Sequence, residues 1–435
     1  MNYSIHVKNV LLSKIDELTA NPAPFVRNPN TDFLRKRKLD FSTMLRLIIS
    51  MGASSIKDEL LAYFDYDIST ATTSAFVQQR DKIHYSAFES LFKNFNASFP
   101  ENSFYNGYRL IACDGSTLSI FPNPKDVDNY YKNKPTSRSH ACLHLNACYD
   151  LLARRFTDVV IQPGNKFNEN KAMNEMIDRF SCSHKTIFIA DRAYESYNNF
   201  AHIQEQNKNY LIRAKDRHSN GILSGLSLPD TDEFDIDVEL ILTKSQTNQI
   251  KNNPQLYKFV PKTSNFDFMD NKNKFYPIKF RILRFKISEN SYESIITNLD
   301  RSSFSPNQIK KLYQLRWDIE TSFRDLKHVI GLSCFHAKKV DSIKQEIFAR
   351  LILYNFCEII INNVVISKKY TKHSYQLNYT RAFRICRHFL KYSQKIDPPD
   401  VESLIIKELL PVRPNRHNPR QVKPRRSFSF LYRVS

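Results

Sequence analysis

The sequence predicts an α/β chain with helical flanks, and three observations carry that prediction. Apolar residues recur at helical spacing through the first hundred residues. From about residue 107 the period shortens to that of strands, and from about 341 helical spacing returns. Between these flanks the segments read strand, strand, strand, helix, strand, helix, strand, an order that lays helices against a sheet.

Each element has a local reason. FLRKRKLDFSTMLRLIISMG opens on a basic cluster and continues with apolar residues at helical spacing. SSIKDELLAYF follows, with Ser54 or Ser55 as its N-cap. TSAFVQQRDKIHYSAFESLFKNF reads as two helices joined near His84 and Tyr85. Residues 1–106 therefore form a helical region, either a bundle that only packs or a DNA-binding module. YRLIACDGSTL is an apolar strand ending in an aspartate, and SHACLHLNACYD and ARRFTDVVIQPG alternate like paired strands. NENKAMNEMIDRF is a helix capped at Asn168 or Asn170. KTIFIADRAYES is a second apolar strand ending in an aspartate, and NYLIRAK is another strand. These elements make a first core part, 107–215. Residues 216–291 read as a β-rich insertion: FDIDVELIL alternates apolar with acidic residues, and FYPIKFRILRFKI alternates apolar with basic ones. SYESIITNLD resumes the core, and Pro306 opens a long helix, giving a second core part, 292–340. Residues 341–435 are helical and end in the basic tail Pro411–Ser435, a solvated tail or a phosphate-contacting arm.

The formal net charge of +20 points to a polyanionic partner, nucleic acid or an anionic membrane. No apolar run reaches the roughly 18 residues of a membrane span. The longest candidate, LILYNFCEIIINNVV, is broken by Asn355, Glu358, Asn362 and Asn363. The first residues lack the apolar core of a signal peptide. Seven cysteines with no C-x-x-C pair argue for a reduced, cytoplasmic chain without a disulfide framework. Cys182 and His184 lack further ligands at zinc-like spacing and read as ordinary packing.

Two carboxylates stand out at strand ends, Asp114 and Asp191. Either alone reads as a turn residue, but two in matching contexts ask for a third. The stretch Tyr313–Lys327, YQLRWDIETSFRDLK, supplies it. At about 100° per residue, Tyr313, Arg316, Glu320 and Lys327 fall in a stripe about 60° wide. Leu312, Leu315, Ile319, Phe323, Leu326 and Ile330 form the core face, and Gln314, Asp318, Thr321, Asp325 and His328 the solvent face. The four residues thus border the buried face. Isolated i,i+4 ion pairs explain Arg316 with Glu320, but not the whole stripe. A glutamate flanked by Arg and Lys suits a metal-bound phosphodiester, with carboxylate on the metal and cations on the phosphates. Three carboxylates can hold two Mg²⁺ ions roughly 3.5–4 Å apart, which clamp the attacking and leaving oxygens of an in-line displacement. Trp317, the only tryptophan, is expected to pack. The acidic run PDTDEFDIDVEL reads as either a charged strand face or a cation site.

These residues resemble the DDE transposases of bacterial insertion sequences, the IS-four family. Its Y-x2-R-x3-E-x6-K signature is met by Tyr313, Arg316, Glu320 and Lys327. CDGSTL around Asp114 looks like the family's first aspartate box and IADRAYES around Asp191 like its second. SAFVQQRDKI also resembles the family's N-terminal region. The resemblance implies an RNase H-like core, a mixed five-stranded sheet with flanking helices, interrupted by the β-rich insertion. It implies Asp114, Asp191 and Glu320 as catalytic metal ligands for two Mg²⁺ ions, with Mn²⁺ able to substitute. It implies Tyr313, Arg316 and Lys327 as DNA-binding residues near the element end. The expected activity is cleavage at terminal inverted repeats and joining of the 3′-hydroxyl to target DNA, by a homodimer on paired ends. The rival readings are a catalytically silent, domesticated DNA-binding protein and a two-metal nuclease without strand transfer.

Overall fold

A computed structural model describes residues 2–35, 37–100, 102–131, 140–261, 263–289, 291–364, 374–391 and 398–412. The basic tail Pro411–Ser435, read as a solvated tail or a phosphate-contacting arm, falls almost wholly outside the described residues. Five helices come first: α1 (Tyr3–Ala20), α2 (Phe41–Ser50), α3 (Ile56–Tyr63), α4 (Thr73–Arg80) and α5 (Ser86–Ala97). Ser55 caps α3 by accepting from the Asp58 N–H. Asp40 caps α2, so Arg35, Arg37 and Lys38 of the basic cluster stay in the loop before that helix. The helices present the faces that their spacing requires; Met44, Leu45, Leu47 and Ile48 of α2 and Phe88, Leu91, Phe92 and Phe95 of α5 are fully buried.

The sheet begins with β1 (Tyr108–Ile120), β2 (Tyr130–Tyr131), β3 (His140–Asp150) and β4 (Arg155–Pro163). Helix α6 (Glu169–Asp178), capped by Asn168, leads to β5 (Lys185–Ala190), and α7 (Tyr197–Glu205) leads to β6 (Asn209–Ala214). The strand order β4-β3-β1-β5-β6 is that of an RNase H-like core: β1, β3 and β4 are antiparallel neighbours, and β5 and β6 run parallel to β1. Beyond it come β7 (Phe234–Thr243), α8 (Asn248–Lys251), β8 (Tyr257–Phe259), β9 (Phe275–Ser288) and β10 (Ser291–Thr297). Strand β10 pairs with β6 on one side and β9 on the other, so the strands of 216–291 extend the same sheet. The acidic run on β7 is matched across the strands by cations. Arg281 meets Asp235 at 2.6 Å, Arg301 meets Asp235 and Asp237 at 3.1 and 3.2 Å, and Lys279 meets Glu239 at 2.7 Å. It is a charged strand face.

Two expectations need correction. Strand β1 does not end at Asp114; it runs on to Ile120 because β3 stays paired with it that far. The helix opened by Pro306 is two helices, α9 (Pro306–Gln314) and α10 (Trp317–His328). Between them the bonds tighten to i→i−3: Leu315 N–H to Leu312 at 3.1 Å, Arg316 N–H to Tyr313 at 3.1 Å, and Asp318 N–H to Leu315 at 3.0 Å. A 3₁₀ turn advances about 120° per residue, so Tyr313 eclipses Arg316 and lies about 60° nearer the buried face than on a continuous α-helix.

Helix α11 (Val340–Asn362) is buried on nearly every side, and β11 (Tyr375–Gln376), α12 (Tyr379–Lys391), α13 (Val401–Lys407) and β12 (Leu410–Pro411) close the chain. Among the described residues no helix is long and apolar enough to cross a membrane, and all seven cysteines are free thiols. The polar residues of α11 have partners. Glu346 meets Arg80 at 2.9 Å and accepts the His336 N–H at 3.0 Å. Arg350 donates to the carbonyls of Met51 and Gly52. Burial alone would raise the Glu346 carboxyl, but Arg80, His336 and Arg350 hold it at about 2, below its ordinary 4.5. Its ion pairing therefore stabilises the fold above pH 4.5, and that contribution is lost as pH falls through the interval from 4.5 to about 2. Glu346→Ala, which strands Arg80 in the interior, is expected to lower stability by about 3–5 kcal/mol. Urea unfolding followed by circular dichroism, at neutral pH and in the acid range, checks both expectations.

Candidate active site

The sheet fixes where the two aspartates point. Successive side chains of a strand face opposite sides. On β1, Leu110 and Ala112 pack into the core shared with α10 and α11, whereas Ile111 and Cys113 pack with α6 and α7. Asp114 follows the first set. On β5, Ile187 and Ile189 face α10 and α11, and Asp191 continues that series. In the parallel register Cys113 lies opposite Ala190, so Asp114 and Asp191 follow at the same level on neighbouring strands. Strand spacing puts their backbones roughly 5 Å apart. Each carboxylate also binds the backbone that follows it: Asp114 accepts from the Gly115 N–H within β1 at 2.8 Å and Asp191 from the Ala193 N–H at 2.7 Å.

Helix α10 covers this face. Ile319, Phe323 and Leu326 enter the shared core, which leaves Glu320 at its border. Arg316, nearly buried, donates to Glu320 at 2.8 Å. Lys327 reaches across to the Thr117 carbonyl of β1 at 3.0 Å. Burial pushes the Asp114 carboxyl up to about 6; Asp191 and Glu320 push the same way, while the Gly115 N–H and Arg316 pull it down. Burial lowers the Lys327 ammonium, and Asp114 opposes that shift. Asp114 thus shares one electrostatic environment with Asp191, Arg316, Glu320 and Lys327. Tyr313 is buried, its ring 5.7 Å from the Arg316 guanidinium. Its hydroxyl and the Arg316 Nε are buried without a hydrogen-bond partner among the described residues. Trp317, expected to pack, is instead 57% exposed, with the Arg316 guanidinium 5.4 Å from its ring. Its position in the first turn of α10, opposite the Ile319, Phe323 and Leu326 face, points it outward.

Three carboxylates form an all-oxygen donor set of the kind that suits a hard divalent cation, and the raised Asp114 carboxyl marks negative charge crowded into a poorly hydrated place. In charge and donor type the residues fit Mg²⁺. Among the described residues no three such side chains stand within one coordination shell, and Glu320 is engaged by Arg316.

Residue-by-residue reading of the sequence missed what lies behind Asp114. Gly115 faces α6, and there His144 and Glu169 meet at 2.9 Å. His144 also stacks on Phe167, ring centroids 4.1 Å apart. A Cβ at position 115 would stand 2.5 Å from both His144 Nε2 and Glu169 Oε1, so only glycine lets the pair close against the strand. The signal present in the sequence was the glycine directly after the aspartate.

The family model described as Transposase DDE domain matches residues 105–356, from just before β1 into α11. The chain belongs to the DDE transposase family. Two relatives agree over a short stretch. The putative transposase InsL of insertion sequence element IS186A from Escherichia coli (strain K12) and the transposase of insertion sequence element IS421 from Escherichia coli are each 36% identical over 58 residues. That stretch is 13% of this chain and 16% of either relative. With the Y-R-E-K signature, these matches make the chain a DDE transposase relative of the IS-four type. Among solved structures it is similar to the piggyBac transposase synaptic complex with hairpin DNA, determined by cryo-EM. The TM-score is 0.45 at 9% identity, over 96% of this chain and 87% of that one.

In this DDE-family chain, Gly115→Ala is expected to displace the His144–Glu169 pair and to lower stability by about 1–3 kcal/mol, the usual range for overpacking. Adding His144→Ala is expected to recover part of that loss. Thermal melts of the single and double variants decide; equal or additive losses would contradict a steric cause.

Proposed function

We propose that the chain is a DNA transposase that cuts phosphodiester bonds at the ends of its element and joins the freed 3′-hydroxyl to target DNA. The observation that carries this reading is the placement of Asp114 and Asp191 at one level on parallel strands beneath Glu320, with Arg316 and Lys327 beside them. Asp114, Asp191 and Glu320 would hold two Mg²⁺ ions, or Mn²⁺ in their place. When bound, the ions supply charge neutralisation and polarise the oxygens of an in-line displacement.

The remaining work falls to the side chains. Arg316 is a rigid fork of donors whose present partner is Glu320, so committing Glu320 to a cation frees the guanidinium for phosphate oxygens. Lys327, tied to β1 through the Thr117 carbonyl, places a second cation over Asp114. Tyr313 supports the Arg316 guanidinium from the buried side and would serve the phosphate through that arginine. The helical region 1–106 contributes DNA contacts, and a homodimer brings two ends together. The site of action is the bacterial cytoplasm.

The test uses the full chain, Mg²⁺ and labelled duplexes carrying the inverted repeats that flank its gene. Metal-dependent nicking at the repeat end followed by joining is expected. Glu320→Ala or Asp191→Ala should slow cleavage by at least about 10³-fold, the equivalent of several kcal/mol of transition-state stabilisation. Binding without cleavage would overturn the enzymatic reading and favour the silent DNA-binding protein. Cleavage without joining would favour a nuclease.

A further inference from the structure

The loop between α1 and α2 holds the basic cluster, and it is built, not slack. Asp32 accepts from the Asn28 N–H at 3.0 Å and lies 3.6 Å from Lys82. Phe33 adopts a left-handed backbone, φ 58°, and packs edge-on against Phe41 at 5.6 Å. Lys38 donates to the Ser69 carbonyl at 2.7 Å and lies 4.8 Å from the Phe64 ring. These anchors leave Arg35 and Arg37 exposed at a cavity of about 330 Å³, with Lys82, Asn30, Thr31 and Gln79 also in its wall. Neither arginine has an ion pair or hydrogen bond among the described residues. Every polar group that closes this wall, apart from the backbone, is a cation, an amide or a hydroxyl, which suits a phosphate oxygen cluster.

The cavity also lies on a continuous path from the candidate active site. Strand β1 carries Asp114 and runs out into Phe121, whose ring lies 4.8 Å from the Lys338 ammonium. Lys339 pairs with Asp81, and Arg27 bridges Asp341 at 3.0 Å and the Asp81 carbonyl at 2.6 Å. Asp81 adjoins Lys82 in the cavity wall. A chain of contacts thus links Lys338, Lys339 and Lys82 to the strand that carries Asp114 and receives Lys327, and Arg35 and Arg37 share the cavity wall with Lys82.

We propose that the Arg35–Arg37–Lys82 cavity seats a backbone phosphate of the same DNA duplex whose scissile bond lies at Asp114, Asp191 and Glu320. The proposal rests on the function given above and adds the course of the DNA away from the cut. Phosphate contacts position a duplex without reading its sequence, and each one adds about 0.9 to the slope of log affinity against log salt. Binding of the full chain to an element-end duplex and to an unrelated duplex is measured by fluorescence anisotropy in EDTA, between 50 and 200 mM salt, about the range over which phosphate contacts are lost. Arg35→Gln with Arg37→Gln is expected to lower the slope by about 1.8 for both duplexes, with an unchanged melting temperature.

A control pair, Lys251→Gln with Lys272→Gln, removes two exposed charges from the β-rich segment and is expected to leave the slope nearly unchanged. An equal fall in the control would overturn the proposal, because bulk charge would then explain it. An unchanged slope in the arginine variant would overturn it too. So would loss of binding only to inorganic phosphate, or only to vesicles of anionic phospholipid, with duplex binding intact. The absence of metal keeps this test separate from catalysis: Glu320→Ala that still cleaves would defeat the catalytic reading while the salt slope still reports on the cavity.

Discussion

Helix α11 is the constraint on which the rest of the structure turns. It is buried on nearly all sides and largely apolar, so it can exist only if sheet and helical region close on it together. Its few polar groups set how they close. Asn355 pairs with both backbone groups of Phe156 on β4, at 3.0 and 2.7 Å, and reaches Asn96 on α5 at 2.8 Å. Arg350 holds the turn after α2, and Glu346 joins Arg80 of α4 to His336. Unpaired, each group would penalise burial heavily; paired, each admits one register. Glu358 on the same helix shows the other limit, since Arg154 at 3.3 Å does not offset burial and the carboxyl is pushed up to about 7.

That packing reaches the candidate site through aromatic side chains. Phe156 lies 5.0 Å from the Tyr354 ring of α11 and 5.5 Å from the Phe323 ring of α10. Phe323 is one turn from Glu320. The helix bearing Glu320 is therefore clamped between β1, which carries Asp114, and the central helix. Such rigid backing gives charged groups a fixed geometry before any substrate arrives, which is where electrostatic stabilisation draws its advantage over water. On the opposite face, the His144–Glu169 pair fills the space under Gly115, so the strand segment carrying Asp114 is supported from both sides.

What the sequence disclosed follows from the range of the interactions involved. Strand alternation and helical period are local, so the strand contexts of Asp114 and Asp191 and the Glu320 edge could be read from spacing, whereas the common level of the two aspartates depends on the β1–β5 register. The caps were legible to within Ser54 or Ser55 and Asn168 or Asn170, which the structure settles as Ser55 and Asn168, and the start at Pro306 was legible for the same reason. The length of β1 was not, because its continuation beyond Asp114 depends on β3. Nor was the 3₁₀ turn at Leu315 and Arg316, since no glycine or proline announces it. A small change of helical pitch there brought Tyr313 inward, onto the line of Arg316. His144 and Glu169 come from different elements and meet only after the sheet forms.

Charge illustrates the same distinction at larger scale. The acids of β7 looked like a candidate cation site because six fall in ten residues from Asp230 to Glu239. Their partners, Lys279, Arg281 and Arg284 on β9 and Arg301 beyond β10, arrive from elsewhere in the chain. Once paired, this part of the sheet is close to neutral and offers little field to a polyanion. The excess of +20 must then reside elsewhere. Its members without an acid partner among the described residues include Arg35 and Arg37, held in a loop where Lys38 has Asp67 at 3.9 Å but the two arginines face none. A charge run followed by its complement across a sheet is structural, whereas a run that the fold leaves unmatched on the flank of an acidic site has only an external anion to answer it.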